Sequence, residues 1–152
     1  MITMVKKTPN GLKLASILIW IEAAIMAIGS ITAIVMGTAV STYLGLSDLT
    51  SLFVAAGVVT LIIAVIWFIV GIGVWKMNIY AWWVAFVFAL LAVIFGVIGI
   101  FGGLLGIAAY TIGAMSVISL GIAVIQLLAL TDKDSMKACK AKIGDWKGID
   151  LL

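Results

Sequence analysis

Residues 52–75 read LFVAAGVVTLIIAVIWFIVGIGVW and contain no charged side chain. As an α-helix this segment would be about 36 Å long, which is enough to cross the roughly 30 Å hydrocarbon core of a bilayer. Strands of a membrane β-barrel alternate apolar and polar residues over about ten positions, whereas this segment is apolar on every side. Because a helix is the other backbone structure that satisfies its own hydrogen bonds in lipid, the segment predicts a transmembrane helix.

The rest of the chain has the same character. Its 152 residues are 66% hydrophobic and 10% charged, and the mean hydropathy is +1.39. In a soluble domain roughly 25% of all residues are charged, and most of them lie on the solvent-exposed surface. We therefore expect an integral membrane protein that is covered mostly by lipid.

Charged residues delimit three further apolar segments, which predict helices at about 14–40, 80–101 and 104–130. A cluster of glycines from Gly99 to Gly106 is expected to form the tight connection between the last two helices. The predicted fold class is therefore all-α, with a four-helix transmembrane bundle over residues 1–131. Residues 132–152 are expected to form an amphipathic tail.

Lysine placement predicts the orientation of these helices. With four spans, all nine lysines fall on one side of the membrane, and positively charged loops stay in the cytoplasm. We therefore expect a multi-pass protein of the cell (inner or plasma) membrane with both termini cytoplasmic. Residues expected to anchor the chain at the headgroup level are Trp75, Lys76, Tyr80, Trp82, Trp83 and Trp146.

The tail also contains a pattern typical of a short amphipathic helix. Met136, Cys139 and Ile143 fall on one face at helical spacing, and Gly144 can end the helix. One interpretation places this helix on the inner leaflet, with Trp146 as an anchor. The alternative is docking onto a partner subunit.

Glu22 is the only ionisable residue inside a predicted span. At 100° per residue, Ala15, Gly29 and Ala33 lie within about 20° of it on the same helix face, so the acid is expected to face a neighbouring helix. A carboxyl group at this depth marks a candidate functional site. It would act as a proton-coupled carboxylate or as a ligand for a cationic substrate or, more plainly, as a protonated or paired group that hydrogen-bonds an adjacent helix or a partner subunit.

Small residues at helical spacing predict close helix packing. The candidates are Gly29, Ala33, Gly37, Gly57, Gly71, Gly99 and Gly103. These faces could close the chain's own bundle or receive a partner helix, and the spacing leaves both alternatives open.

Several classes of chemistry are excluded by composition. With no histidine and one cysteine, the chain cannot build a zinc site, a haem ligand set, an iron–sulfur cluster or a histidine-based triad by itself. We expect no catalytic residues, metal or cofactor. Nucleic-acid binding is not expected either, because the net charge is only +3 and the chain has no arginine.

Two resemblances add to these expectations. The segment Gly71-Ile72-Gly73-Val74-Trp75-Lys76, followed by Tyr80-Ala81-Trp82-Trp83, resembles a cytoplasmic turn in uncharacterised small four-helix membrane proteins of prokaryotes. In layout, four helices with one glutamate in the first are similar to the small multidrug resistance transporters. That resemblance, carried by topology and Glu22, implies proton-coupled transport, but the signature residues of those transporters' later helices have no match here.

The function expected from the sequence is that of a non-catalytic accessory or structural subunit of a larger membrane complex, for example a respiratory or monooxygenase complex. Its partners would be the lipid bilayer and other integral membrane subunits, or further copies of the chain. The alternative is a small proton-coupled transporter that uses Glu22.

Overall fold

The computed structural model describes residues 8–45, 47–104 and 110–141. Five α-helices make up the regular structure of these ranges. They are α1 (Asn10–Tyr43), α2 (Ser47–Trp75), α3 (Ile79–Leu104), α4 (Tyr110–Thr131) and α5 (Lys133–Cys139). The all-α prediction is confirmed for this part of the chain.

Three helices are long and apolar enough to cross a membrane: Asn10–Tyr43, Leu49–Trp75 and Ile79–Ile98. A shorter apolar helix covers Val117–Thr131. Large apolar side chains point outward, and Ile28 and Phe95 are both 66% exposed. Such a surface is unfavourable in water and suits lipid.

Several hydroxyl groups in the apolar helices are hydrogen-bonded within their own helix. Ser16, Ser30 and Thr60 donate to the carbonyl oxygen four residues earlier, at 2.8, 2.6 and 2.9 Å. This arrangement leaves the hydroxyl groups paired without water, as a hydrocarbon environment requires.

Helices α1, α2 and α3 each extend a few residues beyond the predicted spans, and α4 begins at Tyr110, later than the predicted start near residue 104. The turn expected between residues 101 and 104 lies inside α3, which continues through Gly102 and Gly103 to Leu104. Glycine does not break a helix in a membrane segment as readily as in water, because unpaired backbone groups are costly in lipid. The residues between α3 and α4, 105–109, lie outside the described ranges.

The chain divides into two compact units. One is Ile19–Ile69, in which α1 and α2 pack closely at glycines. A Cβ atom on Gly37 would overlap Phe53, and a Cβ atom on Gly57 would overlap Ile34. Gly37 and Gly57, two of the predicted packing glycines, therefore lie in the contact between α1 and α2.

The other unit comprises the described parts of Met1–Leu18 and Val70–Leu152. Here α3 packs along α4, and a Cβ atom on Gly96 would lie 3.1 Å from the side chain of Leu120. The indole Nε1 of Trp82 donates to the carbonyl oxygen of Leu130 at 3.0 Å. This bond joins the first turn of α3 to the last turn of α4.

A tight corner connects α4 to α5 in this unit. Asp132 is 3% exposed and caps α5, where its carboxylate accepts from the backbone N–H of Ser135 at 3.3 Å. The start of α1 packs against this corner at Gly11, where a Cβ atom would overlap Ser135 Oγ and lie 2.6 Å from the carbonyl oxygen of Ala129. Glycine is needed here because the two backbones approach closely.

Candidate functional site

Glu22 forms a specific contact between α1 and α2. The indole Nε1 of Trp67 donates to Glu22 Oε2 at 2.8 Å. Trp67 is 8% exposed and Glu22 is half-buried. The contact joins residues 45 positions apart in the chain, so it orients the two helices within the Ile19–Ile69 unit.

The helix lengths place this contact deep in the predicted spans. Glu22 lies about 18 Å along α1 from Asn10, and Trp67 lies about 12 Å along α2 from its end at Trp75. Both distances agree with a position near the middle of a roughly 30 Å hydrocarbon core. The position of Glu22 within a membrane stays a prediction.

The chemistry of the contact is a neutral N–H group facing a carboxyl oxygen. An indole has one donor and no acceptor, so it serves a carboxyl group in either protonation state. Among the described residues, Trp67 is the hydrogen-bond donor to Glu22. The pair can therefore hold the helices together, and it leaves the second carboxyl oxygen available for a proton or a ligand.

The same unit contains an open apolar cavity of about 270 Å³, and neither Glu22 nor Trp67 lines it. Alanines form much of its wall, and the rings of Trp20 and Phe68 lie 6.0 Å apart beside it. Its lining residues are Trp20, Ala23, Ala24, Ala27, Leu61, Ala64, Val65 and Phe68. The lining is apolar, so a molecule held there would bind by shape and dispersion.

No metal site accompanies the carboxyl group in the part of the chain that the structure describes. There, no group of three or more His, Cys, Asp or Glu side chains comes together to hold an ion. That the protein works without a cofactor stays a prediction.

The predicted packing residues divide into two groups. Gly37, Gly57 and Gly71 are buried, whereas Gly29 and Ala33 are exposed on α1. No atom of the described residues lies within 4 Å of a Cβ atom built on Gly29. Gly99 and Gly103 belong to α3, but their surroundings lie outside the described part of the structure.

Most of the predicted anchors are exposed: Trp75, Lys76, Tyr80 and Trp83. Trp82 differs and is a correction to the sequence prediction, because it is fully buried and its indole is bonded to Leu130. Adjacent helix positions point about 100° apart, so one of two neighbouring tryptophans faces inward. Trp146 lies outside the described residues.

The tail helix also differs from the leaflet interpretation. Met136 and Cys139, expected to face lipid, are 4% and 3% exposed within the chain. The apolar face of α5 is therefore packed against the protein itself. Ile143 lies outside the described residues.

Sequence reasoning missed two polar groups. Trp67 could have been noticed as a mid-span tryptophan flanked by small residues, Ala64 and Gly71, on one helix face. Gln126 on α4 is 1% exposed, and no described residue accepts a hydrogen bond from its Nε2. A buried amide inside an apolar helix is the signal that would have identified it.

Comparisons with known proteins provide no further assignment. No protein-family model matches the chain. No curated protein and no solved structure matches it either. The function is therefore inferred from the residues and their geometry.

Proposed function

We propose that the chain is a four-helix transmembrane bundle of the cell membrane, with both termini in the cytoplasm. The lysines of the described ranges support this orientation. Lys13 lies in the first turns of α1, Lys76 follows α2, and the other lysines follow α4. Contacts of Thr8 with Trp75 and of Gly11 with Ser135 bring these three helix ends together, so the positive charge gathers at one end.

Within that membrane the chain acts as a non-catalytic accessory subunit of a larger complex. One observation carries this proposal: Gly29 and Ala33 form a small-residue face on α1 that is exposed among the described residues. Small residues four positions apart let another helix approach closely in lipid. The next glycine on the same helix, Gly37, packs against Phe53 of α2. The open face therefore suits a helix from another subunit or from a second copy.

A bulky side chain at Gly29 tests this face. In Gly29→Leu the new Cβ has no atom of the described residues within 4 Å, so we expect a folded protein that no longer co-purifies with its partner in mild detergent. Gly121→Leu is a matched control, because Gly121 is also exposed with nothing within 4 Å, but it lies on α4. Full retention of the partner by the Gly29 variant would contradict the proposed face.

A second candidate function is proton-coupled transport through Glu22. The observation in its favour is that the Ile19–Ile69 unit contains both a half-buried carboxyl group deep in α1 and an open cavity with aromatic side chains in its wall. Glu22 could exchange a proton while an apolar substrate occupies the cavity. Against this, the described residues offer Glu22 one neutral donor and no second mid-span acid.

Replacing Glu22 with glutamine separates the two functions. The amide oxygen still accepts from Trp67, so a subunit is expected to assemble normally. A transporter would lose pH-dependent uptake, because the amide cannot exchange a proton at physiological pH. Uptake by the purified wild-type chain that disappears in Glu22→Gln would favour the transporter.

A further inference from the structure

Helix α5 has two faces of different character. Ser135, Met136 and Cys139 are buried against the chain. Lys137 and Lys140 are exposed on the other side, together with Lys133 one turn before them. The helix therefore carries its positive charge on the side away from the protein.

The position of this lysine face is set by the corner that precedes it. Only Asp132 separates the end of α4 at Thr131 from the start of α5 at Lys133. The contact of Gly11 with both Ala129 and Ser135 shows that α5 folds back beside the helix ends. Its lysines are consequently held at the level where the apolar spans end and the lipid headgroups begin.

The charge on this face is predominantly positive. Asp132 is 3% exposed and its carboxylate caps the helix, so it contributes little to the outer surface. Asp134 is the exposed acid of α5. Lys137 and Lys140 lie beside Lys133 on this face and outnumber its one exposed carboxylate, so the face complements phosphate groups, which lysine binds as a compact point charge.

We propose that the lysine face of α5 (Lys133, Lys137 and Lys140) binds the phosphate groups of anionic phospholipids in the adjacent leaflet. The inference rests on the proposed orientation, which places α5 at the anionic cytoplasmic surface. Since the apolar face of α5 is occupied by the protein, attraction to the lipid is electrostatic. It should weaken as salt concentration rises.

Native mass spectrometry of the full chain in a neutral detergent, titrated with phosphatidylglycerol or phosphatidylcholine, tests the proposal. We expect the wild type to bind phosphatidylglycerol more tightly. A lysine near an anionic surface contributes about 1 kcal/mol, which is about fivefold in affinity. The double variant Lys137→Gln/Lys140→Gln should therefore lose about 25-fold in affinity for phosphatidylglycerol and little for phosphatidylcholine.

Two controls make the result specific. Lys137→Arg/Lys140→Arg keeps the charge and should keep tight binding, and Lys76→Gln removes one exposed lysine outside α5 and should cost no more than the loss of about fivefold expected for a single lysine near the surface. Equal affinity of the wild type for the two lipids would overturn the proposal. Unchanged phosphatidylglycerol binding by Lys137→Gln/Lys140→Gln would also overturn it. The same holds if that variant keeps its lipid affinity and loses a co-purifying protein.

The lipid titration is independent of the proposed subunit role. It uses the purified chain without partners, so a failure of α5 to bind lipid would overturn the lipid proposal alone and would say nothing about the Gly29 face. Conversely, Gly29→Leu should bind phosphatidylglycerol like the wild type, because Gly29 lies on α1 in the Ile19–Ile69 unit and α5 lies in the other unit.

Discussion

Removing the indole N–H of Trp67 should weaken the fold by an amount that depends on Glu22. Trp67→Phe deletes the donor of the 2.8 Å bond at a site that is 8% exposed. Hydrogen bonds between membrane helices contribute about 0.6 kcal/mol on average and up to about 1.7 kcal/mol in double-mutant cycles. Since this bond reaches a carboxyl group in apolar surroundings, we expect a coupling near the upper part of that range, about 1 to 1.5 kcal/mol.

The assay is a double-mutant cycle of Trp67→Phe with Glu22→Leu. Reversible unfolding in mixed micelles with increasing dodecyl sulfate, followed by far-UV circular dichroism, gives the free energy of each variant. Glu22→Leu with Trp82→Phe is the control cycle, because Trp82 donates to Leu130 and shares no partner with Glu22. Additivity within about 0.3 kcal/mol in both cycles would refute the reasoning, because it would mean that Trp67 and Glu22 do not interact.

Two further changes test the packing at α4 and α5. Gly11→Ala should lower the free energy of unfolding by about 1–3 kcal/mol, because the new Cβ overlaps Ser135 and a carbonyl oxygen of α4. The same change should speed maleimide labelling of the buried Cys139 in α5. Gly121→Ala is the control, because a Cβ atom there has no described neighbour within 4 Å. A Gly11→Ala variant that is as stable as the wild type and is labelled as slowly would contradict the close approach of α1 to α4 and α5. Gln126→Leu should raise the free energy of unfolding by about 1 kcal/mol, because it removes a buried Nε2 that has no acceptor among the described residues. A loss of stability in that variant would instead reveal a hydrogen-bond partner of Gln126.

Helix positions could be predicted from the sequence because charged side chains are expensive in lipid. The uncharged stretch over 52–75 corresponds to most of α2, which ends at Trp75 as expected. The third connection was expected a few residues too early because glycine is a turn signal in water, whereas Gly102 and Gly103 remain helical here. Backbone hydrogen bonding outweighs the conformational preference of glycine in such a segment.

Side-chain partners were harder to predict than helices. The burial of Trp82 and exposure of Trp83 depend on a rotation of α3 that a uniformly apolar helix does not encode. The bond from Trp67 to Glu22 joins two helices, and periodicity along one helix carries no information about the register of the other. The amphipathic pattern of α5 was recognised, but a buried face has the same pattern whether it meets lipid or protein.

Partner dependence is the most direct test of the proposed subunit role. We would extract the chain in mild detergent and determine the native mass of everything that co-migrates with it. The subunit role predicts stoichiometric foreign membrane subunits or a stable homo-oligomer that dissociates when Gly29 is replaced by leucine. A monomer that carries out pH-dependent uptake alone, and loses it in Glu22→Gln, would contradict that role.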